Sequence, residues 1–162
     1  MIEHHIPVML NESLDLLITD QSGVYFDATL GFGGHTTEML KRLTNTGRIV
    51  AADVDTDAFE YSQKKFLKED RVSIYNYNYS FIDVIAKIES LKYFDGVLAD
   101  LGVSSFQLDN PESGFTFRTE APLDLRMDKT KEVSAADVIN SYDEEDLADI
   151  FFNYGEEKNS RK

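Results

Sequence analysis

A glycine-rich run at residues 27–35 constrains the fold of this chain more than any other feature of its sequence. The run reads Asp27-Ala-Thr-Leu-Gly-Phe-Gly-Gly-His35 and follows a short apolar segment. Glycines let a backbone turn sharply and approach a ligand closely, because no Cβ stands in the way. A second apolar segment ends at Asp53, 22 positions after Gly31. A strand, a glycine turn, a helix and a strand tipped by an acid together predict a nucleoside-binding βαβ unit.

The spacing of the glycines separates two classes of nucleoside ligand. A dinucleotide site has the pattern G-x-G-x-x-G/A, and here Thr36 stands in the third position, after Gly31 and Gly33. The run fits better with the D-x-x-x-G-x-G-G turn of S-adenosylmethionine enzymes, whose ligand has no phosphate. Asp53 would then hydrogen-bond both ribose hydroxyls. His35 could touch the carboxylate of the ligand, although packing of the helix start explains this residue equally well.

Apolar segments that suit buried strands alternate with helical patterns along the first hundred residues. A helix capped by Asn11 comes first, and strands are predicted at 24–30, 48–53, 71–76 and 94–100, with helices at 34–43, 57–67 and 81–91. This alternation favours a parallel sheet with covered faces. Right-handed crossovers give the strand order 3-2-1-4. The glycine turn, Asp53, Tyr79 and Asp100 all follow strand ends, so we expect them at one edge of the sheet.

The chain changes character after Asp100. Residues 101–128 have neither helical nor strand periodicity and carry two glycines and two prolines, which predicts a long functional loop. Two helices are predicted after it, at 134–140 with Ser134 as the cap and at 143–153. Within the loop, Phe115, Phe117, Arg118 and Arg126 could stack on a base or hold phosphates. The two phenylalanines suit a role as buried anchors of the loop better.

Asp100 opens the segment Asp100-Leu-Gly-Val-Ser-Ser105 at the end of the predicted fourth strand. An exocyclic amine of cytosine or adenine is a poor nucleophile, because its lone pair is delocalised into the ring. Hydrogen-bond acceptors aimed at its N–H bonds favour the pyramidal nitrogen that can attack a methyl group. Asp100 could supply such an acceptor, and a carboxylate that caps the loop is an equally good interpretation.

Composition restricts the class of protein. The 162 residues are enough for a domain with a core. The chain has no cysteines, and its three histidines lack metal-ligand spacing, so we expect neither disulfides nor a metal. No apolar run reaches the roughly 18 residues of a membrane span, and the start lacks a signal-peptide pattern. These features predict a cytoplasmic protein with no membrane partner.

The net charge of −14 argues against a nucleic-acid partner, because phosphate contacts need Lys and Arg. The acidic residues are concentrated near the end of the chain. Residues 132–157 hold nine carboxylates and neither Lys nor Arg, which is typical of a solvated helical face.

Seven short blocks of the sequence together resemble one protein family. They are Gly31–His35, Ala52–Asp55, Ala99–Ser105, Gln107–Asp109, Gly114–Arg118, Pro122–Asp128 and Tyr154–Glu157. In this order they resemble the RsmH (MraW) family of ribosomal RNA small subunit methyltransferases. The resemblance extends over nearly the whole chain from His5 onward, and the block from Asp100 to Asp128 is highly specific.

The resemblance implies an α/β, Rossmann-like class I fold and an activity. Members of that family use S-adenosylmethionine to methylate N4 of a cytidine in 16S rRNA of the small ribosomal subunit. By position it implies donor contacts at Gly33, Gly34, His35, Asp53, Tyr79, Asp100 and Gln107, with Asp100 also a catalytic candidate. Tyr79 stands where the family commonly has Phe, and Phe106 stands where it usually has Pro.

The resemblance also implies a division of the chain, because the family is markedly longer and carries a helical domain inserted after the fourth strand. We expect residues 1–130 to be the N-terminal portion of the methyltransferase domain, with an incomplete parallel sheet. Residues 131–162 would begin a truncated helical insertion, and this chain alone would be inactive. Two alternatives stay open, an NAD-dependent dehydrogenase and a catalytically inactive nucleoside-binding fragment. The sequence does not predict the oligomeric state.

Overall fold

A computed structural model describes residues 7–161 of the chain. The chain divides into two compact units, which meet in the sequence between Ser105 and Phe106. None of the helices in this range is long and apolar enough to cross a membrane.

The first unit is a parallel four-stranded sheet with helices between its strands. Its elements are α1 (Leu10–Leu17), β1 (Val24–Asp27), α2 (Gly34–Arg42), β2 (Arg48–Ala52), α3 (Thr56–Lys65), β3 (Val72–Tyr75), α4 (Ile82–Ile88) and β4 (Gly96–Leu98). The strand order is β3-β2-β1-β4, which confirms the predicted α/β fold and its strand order. All three strand pairs are parallel, so the carboxyl ends of the strands lie at one edge.

Side chains alternate between the two faces of the sheet and build a core on each. One face buries Tyr25, Ile49 and Ala51 against Leu14 and Met39. The other face buries Phe26, Val50 and Ala52 against Ile85. The middle strands are therefore covered on both sides, as a parallel sheet requires.

The strands and the first helix differ from the prediction at their ends. β4 covers only Gly96–Leu98, and the last bond between β1 and β4 is the one that Ala28 N–H donates to Leu98 O at 2.8 Å. The predicted cap at Asn11 was wrong. Helix α1 begins at Leu10, after Met9 in a left-handed conformation, and Asn11 lies inside it. The side chain of Asn11 instead accepts a hydrogen bond from Arg42 at 2.7 Å.

The second unit contains helices, and no strand occurs among its described residues. It comprises most of α5 (Ser105–Asp109), a 3₁₀ turn at Pro111–Ser113, α6 (Ala135–Ser141) and α7 (Glu144–Asn153). The capping of α6 by Ser134 is confirmed, since its side chain and that of Asp137 form a reciprocal capping box. The predicted domain boundary at residue 130 stays a prediction.

The prediction of a segment without secondary structure at 101–128 was wrong for α5 and the 3₁₀ turn. Local side-chain contacts stabilise both of them and leave no periodic signal in the sequence. The hydroxyl of Ser113 donates to the backbone carbonyls of Gln107 and Asn110. The side chain of Asn110 accepts from the N–H of Glu112 at 3.1 Å.

Candidate functional site

The glycine turn between β1 and α2 has two glycines in the left-handed region, and each is required for a different reason. Gly31 has φ 51°, and a Cβ there would meet nothing within 4 Å, so open space lies beside it. Gly33 has φ 72° and caps α2. A Cβ on Gly33 would lie 2.5 Å from the ring of Phe66. The turn thus leaves room for a ligand at Gly31, while Gly33 makes close packing possible.

Asp53 follows β2 directly and contacts the glycine turn, as the spacing of the two motifs predicts. One carboxylate oxygen accepts the N–H of Gly31 at 2.6 Å, and the other accepts the N–H of Asp55 at 2.9 Å. The backbone carbonyl of Asp53 accepts from the Asn76 side chain at 2.8 Å. These contacts fix the carboxylate in one orientation at the tip of the sheet.

The environment of the Asp53 carboxylate suits hydrogen bonds from neutral hydroxyl groups. Burial raises the pKa of this carboxyl, and the N–H groups of Asp55 and Gly31 oppose that rise. A carboxylate oxygen has two lone pairs, and each oxygen of Asp53 uses one for a backbone N–H. The second lone pair of each oxygen can accept a hydroxyl, so the group can hold the two adjacent hydroxyls of a ribose.

Asp27, the first residue of the glycine run, is fully buried behind the turn. It accepts the hydroxyl of Thr36 at 2.7 Å and the N–H of Thr29 at 3.2 Å. Burial raises its pKa, and the bonds from Thr36 and Thr29 counter that effect. Thr36, which stands in the third position of the glycine pattern, thus supplies a hydrogen bond that a buried carboxylate needs.

Gly34 and His35 form the start of α2. Gly34 is its first residue, and His35 is buried, with only 6% of its surface exposed. The preceding residue Gly33 provides no side-chain cap, so the first N–H groups of the helix lack a capping acceptor from that residue. The N–H groups of such a helix start can donate hydrogen bonds to the carboxylate of a ligand.

Asp100 and Tyr79 follow the other two strands. Asp100 is exposed beyond β4, and its backbone N–H donates to the hydroxyl of Thr29 at 2.7 Å. This bond ties the segment after β4 to the segment after β1. Tyr79 begins a 3₁₀ turn beyond β3, and 46% of its surface is exposed. Four strand tips therefore carry the glycine turn, Asp53, Tyr79 and Asp100 at one edge of the sheet.

Gln107 lies in the second unit, where it is buried within α5. The remaining candidates of that unit differ in exposure. The preferred interpretation of Phe117 as a buried anchor of the loop was wrong, because 98% of its surface is exposed, whereas Phe115 is half-buried. Arg118 is exposed and makes a 3.4 Å contact with Asp109.

Arg126 is engaged inside the second unit. Its guanidinium donates to the Asp124 carboxylate at 2.6 and 3.1 Å, and it also donates to the carbonyl of Lys131. Arg126 and Lys129 together hold the pKa of Asp124 well below its usual range. A guanidinium held in this way is a poor candidate for binding phosphate, so Phe117 and Arg118 are the stronger candidates for contacts with a base.

One cleft of the first unit lies away from the strand tips. It has a volume of about 690 Å³, and its lining includes Gln21 and Thr44, which precede β1 and β2. It therefore lies at the opposite end of the strands. Its arginine, Arg42, is already paired with Asp15 at 2.6 Å. Residues 7–161 contain no group of three or more His, Asp or Glu side chains that could hold a metal ion.

Comparison with known proteins places the chain in a family. The family model described as the MraW methylase family matches residues 2–162. A Fusobacterium nucleatum protein named ribosomal RNA small subunit methyltransferase H is 44% identical over 161 residues, which is 99% of this chain and 51% of that protein. Proteins of the same name from Halothermothrix orenii and Phocaeicola vulgatus are each 45% identical, over 98% of this chain. The chain spans about half the length of these relatives.

Proposed function

Because this chain belongs to the MraW methylase family, we propose that it forms the donor-binding part of a methyltransferase that acts on rRNA of the small ribosomal subunit. The donor is S-adenosylmethionine, and the target is N4 of a cytidine in 16S rRNA. The observation that carries the proposal is the edge where Asp53 contacts the glycine turn and Asp100 is tied to Thr29. A cytoplasmic location follows from a ribosomal target.

The residues at this edge fit the proposed donor in three respects. Both oxygens of Asp53 retain a lone pair for the ribose hydroxyls. The turn at Gly31 leaves open space where a Cβ would stand. The N–H groups at the start of α2, at Gly34 and His35, can bind the carboxylate of S-adenosylmethionine. Tyr79, half-exposed beyond β3, could then cover the adenine ring.

When bound, S-adenosylmethionine supplies a methyl group activated by a positively charged sulfur. Held by Asp53 and the start of α2, the donor would give its methyl group to N4 of cytosine and leave as S-adenosylhomocysteine, and the proton released from N4 would pass to solvent. The protein's part in this reaction is to hold the amine in line with the methyl group and to accept hydrogen bonds from the N–H groups of the amine. Asp100 is the residue we assign to this acceptor role.

The position of Asp100 suits that role. Thr29 fixes its backbone at 2.7 Å, while its side chain lies exposed at the strand tips. A base stacked inside an RNA helix could not reach such an edge, so the target nucleotide must be rotated out of its stack. Gln107 is proposed as a further donor contact on the family resemblance alone.

The net charge of −14 limits where the RNA can be bound. Phosphate contacts need free cations, and Arg126 is taken up by Asp124. Because the relatives are about twice as long as this chain, we propose that most phosphate contacts belong to the remainder of the enzyme. We further propose that residues 1–130 belong to the methyltransferase domain, that residues 131–162 begin a helical insertion, and that the chain alone does not transfer methyl groups.

A chimera tests the proposal directly. The chain replaces the matching segment of the Fusobacterium nucleatum relative, with which it shares 44% identity. The chimera is incubated with methyl-labelled S-adenosylmethionine and small ribosomal subunits that lack the modification. We expect labelled N4-methylcytidine in 16S rRNA by mass spectrometry of its nucleosides. A chimera that folds and binds the donor but labels no cytidine contradicts the proposed activity.

Ligand binding by the isolated chain decides between the alternative ligands. The proposal predicts that the isolated chain binds S-adenosylmethionine and not NAD, because Thr36 occupies the position where a dinucleotide fold has Gly or Ala. Tight NAD binding would favour the dehydrogenase. Donor binding by the chimera with no transfer to any RNA would favour an inactive nucleoside-binding module.

A further inference from the structure

Helix α3 holds the glycine turn from the side of its carbonyl groups. Ser62, which is fully buried, donates its hydroxyl to the carbonyl of Gly31 at 2.8 Å. The Lys65 ammonium donates to the carbonyls of Phe32 at 3.0 Å and Gly33 at 3.2 Å. Three consecutive carbonyls of the turn are therefore bound by two side chains that lie three residues apart on one helix face.

Phe66 completes this support. Its ring comes within 2.5 Å of the position that a Cβ on Gly33 would occupy. The Lys65 ammonium lies 5.2 Å from the centre of the same ring. Burial of the ammonium against the turn lowers the pKa of Lys65. Its neighbour Lys64 makes no such contact. It projects into solvent and reaches only Glu60, at 4.0 Å.

The direction of these bonds determines where the turn presents its donors. In a trans peptide the C=O and N–H groups point in opposite directions, and the chain has no cis peptide among its described residues. The carbonyl of Gly33 accepts from the N–H and the hydroxyl of Thr37 as well as from Lys65, so the N–H of Gly34 points out of the start of α2, away from these three donors. That N–H belongs to the uncapped start of α2. In folds of this kind the turn faces the group attached to the 5′ carbon of the nucleoside.

We propose that Lys65 is a positioning residue that shapes the glycine turn for the amino-acid end of the donor, with Ser62 supporting the same turn. The inference rests on the proposed function, since it assigns a role within the same site. Lys65 does not touch the ribose acid Asp53, whose orientation is set by Gly31 and Asp55. Loss of Lys65 should therefore weaken recognition of the amino-acid end and spare the nucleoside end.

Two ligands that differ only at this end test the proposal. S-adenosylhomocysteine carries the amino-acid group, and 5′-methylthioadenosine lacks it. Binding of both is measured by calorimetry on the full 162-residue chain. Lys65→Met should weaken S-adenosylhomocysteine by roughly tenfold or more, the effect of losing charge-assisted hydrogen bonds. Affinity for 5′-methylthioadenosine should stay within about twofold, and Lys65→Arg should retain most of the affinity for both ligands.

The matched control is Lys64→Met, which removes the adjacent lysine and should leave both affinities unchanged. Equal losses for both ligands in Lys65→Met would mean that Lys65 only stabilises the fold, and no loss for either would mean that it plays no part; each result overturns the inference while leaving the donor site intact. A wild-type chain that binds neither ligand overturns the proposed function, and the inference with it.

Discussion

At the scale of single residues, Asp27 shows which properties of the site the sequence predicts and which it does not. The glycine run predicts an acid at its first position, but nothing in the sequence indicates that this acid is fully buried. Its partner Thr36 lies nine positions later, and their contact forms only when β1 and α2 pack together. Sequence patterns record the types of residue, whereas burial is a property of the assembled sheet. Thr29 and Lys65 were missed for the same reason.

The buried acid predicts a pH dependence of stability. Burial raises the pKa of Asp27 in the folded chain, so the folded state binds more protons than the unfolded state above about pH 4. Its contribution to stability therefore falls as pH rises from there through the folded pKa. Asp27→Asn has no carboxyl group to ionise at this position, so the variant does not lose this stability as pH rises. Urea unfolding from pH 4 to pH 8 should show the variant gaining free energy of unfolding relative to wild type as pH rises.

Asp20 provides the control of opposite sign. It is exposed, and bonds from Ser22 lower its pKa, so its contribution is present at neutral pH and is lost as pH falls through the folded pKa. Asp20→Asn should therefore lose free energy of unfolding relative to wild type as pH rises toward about 4, and the difference should stay constant from pH 4 to pH 8. If the difference between Asp27→Asn and wild type does not change with pH, the buried carboxyl does not titrate as described.

Asp100 carries the prediction about chemistry. Asp100→Asn keeps the backbone bond to Thr29 and the shape of the side chain, but it weakens acceptance from an amine. In the chimera, the transfer rate at saturating donor should fall about a hundredfold or more, a typical loss for a group that assists proton transfer. Single-turnover transfer of labelled methyl to small subunits measures it. A change confined to donor affinity would make Asp100 a binding residue only.

At the scale of elements, the sequence predicts the first unit well and the second unit partly. The apolar segments of β1, β2 and β3 and the helices between them appear in the predicted order. β1 and β2 are buried on both faces and therefore read as continuous apolar runs, which the sequence shows clearly. α5 lies in a segment where no apolar period exists, and contacts of Ser113 and Asn110 hold the adjoining turn. Such local hydrogen bonds have no sequence signature that separates them from an ordinary loop.

The two left-handed glycines of the turn predict different costs of substitution. Gly31→Ala should lose about 1–2 kcal/mol for the left-handed conformation alone, because a Cβ there meets nothing. Gly33→Ala should lose more, because its Cβ would also strike Phe66. Urea unfolding of both variants measures the difference.

Phe66→Leu distinguishes the two causes. Combined with Gly33→Ala, it should recover part of the extra loss, since the smaller side chain leaves room for the new Cβ. Combined with Gly31→Ala, it should recover nothing, because Phe66 does not face that position. Equal costs for the two glycine variants would show that Phe66 does not pack against Gly33 as described.

At the scale of the whole molecule, the sheet has an exposed edge. Among the described residues β4 pairs only with β1, and 51% of the surface of Val97 is exposed. Unpaired N–H and C=O groups on such an edge favour pairing with another chain. We expect the 162-residue chain to self-associate at micromolar concentration and Val97→Lys to weaken the association. Sedimentation velocity over a range of concentrations measures both, and a strictly monomeric wild-type chain would contradict this expectation.

The central claim, that the sheet edge binds S-adenosylmethionine through Asp53, is tested most directly by calorimetry with the 162-residue chain. The account predicts that the wild-type chain binds the donor and that Asp53→Ala weakens binding by about 1.5–3 kcal/mol, the size of charge-assisted hydrogen bonds to the ribose. Asp57→Ala removes a nearby exposed acid at the start of α3 and should leave the affinity unchanged. A wild-type chain with no affinity for the donor, or an Asp53→Ala variant that binds as well as wild type, would contradict the claim.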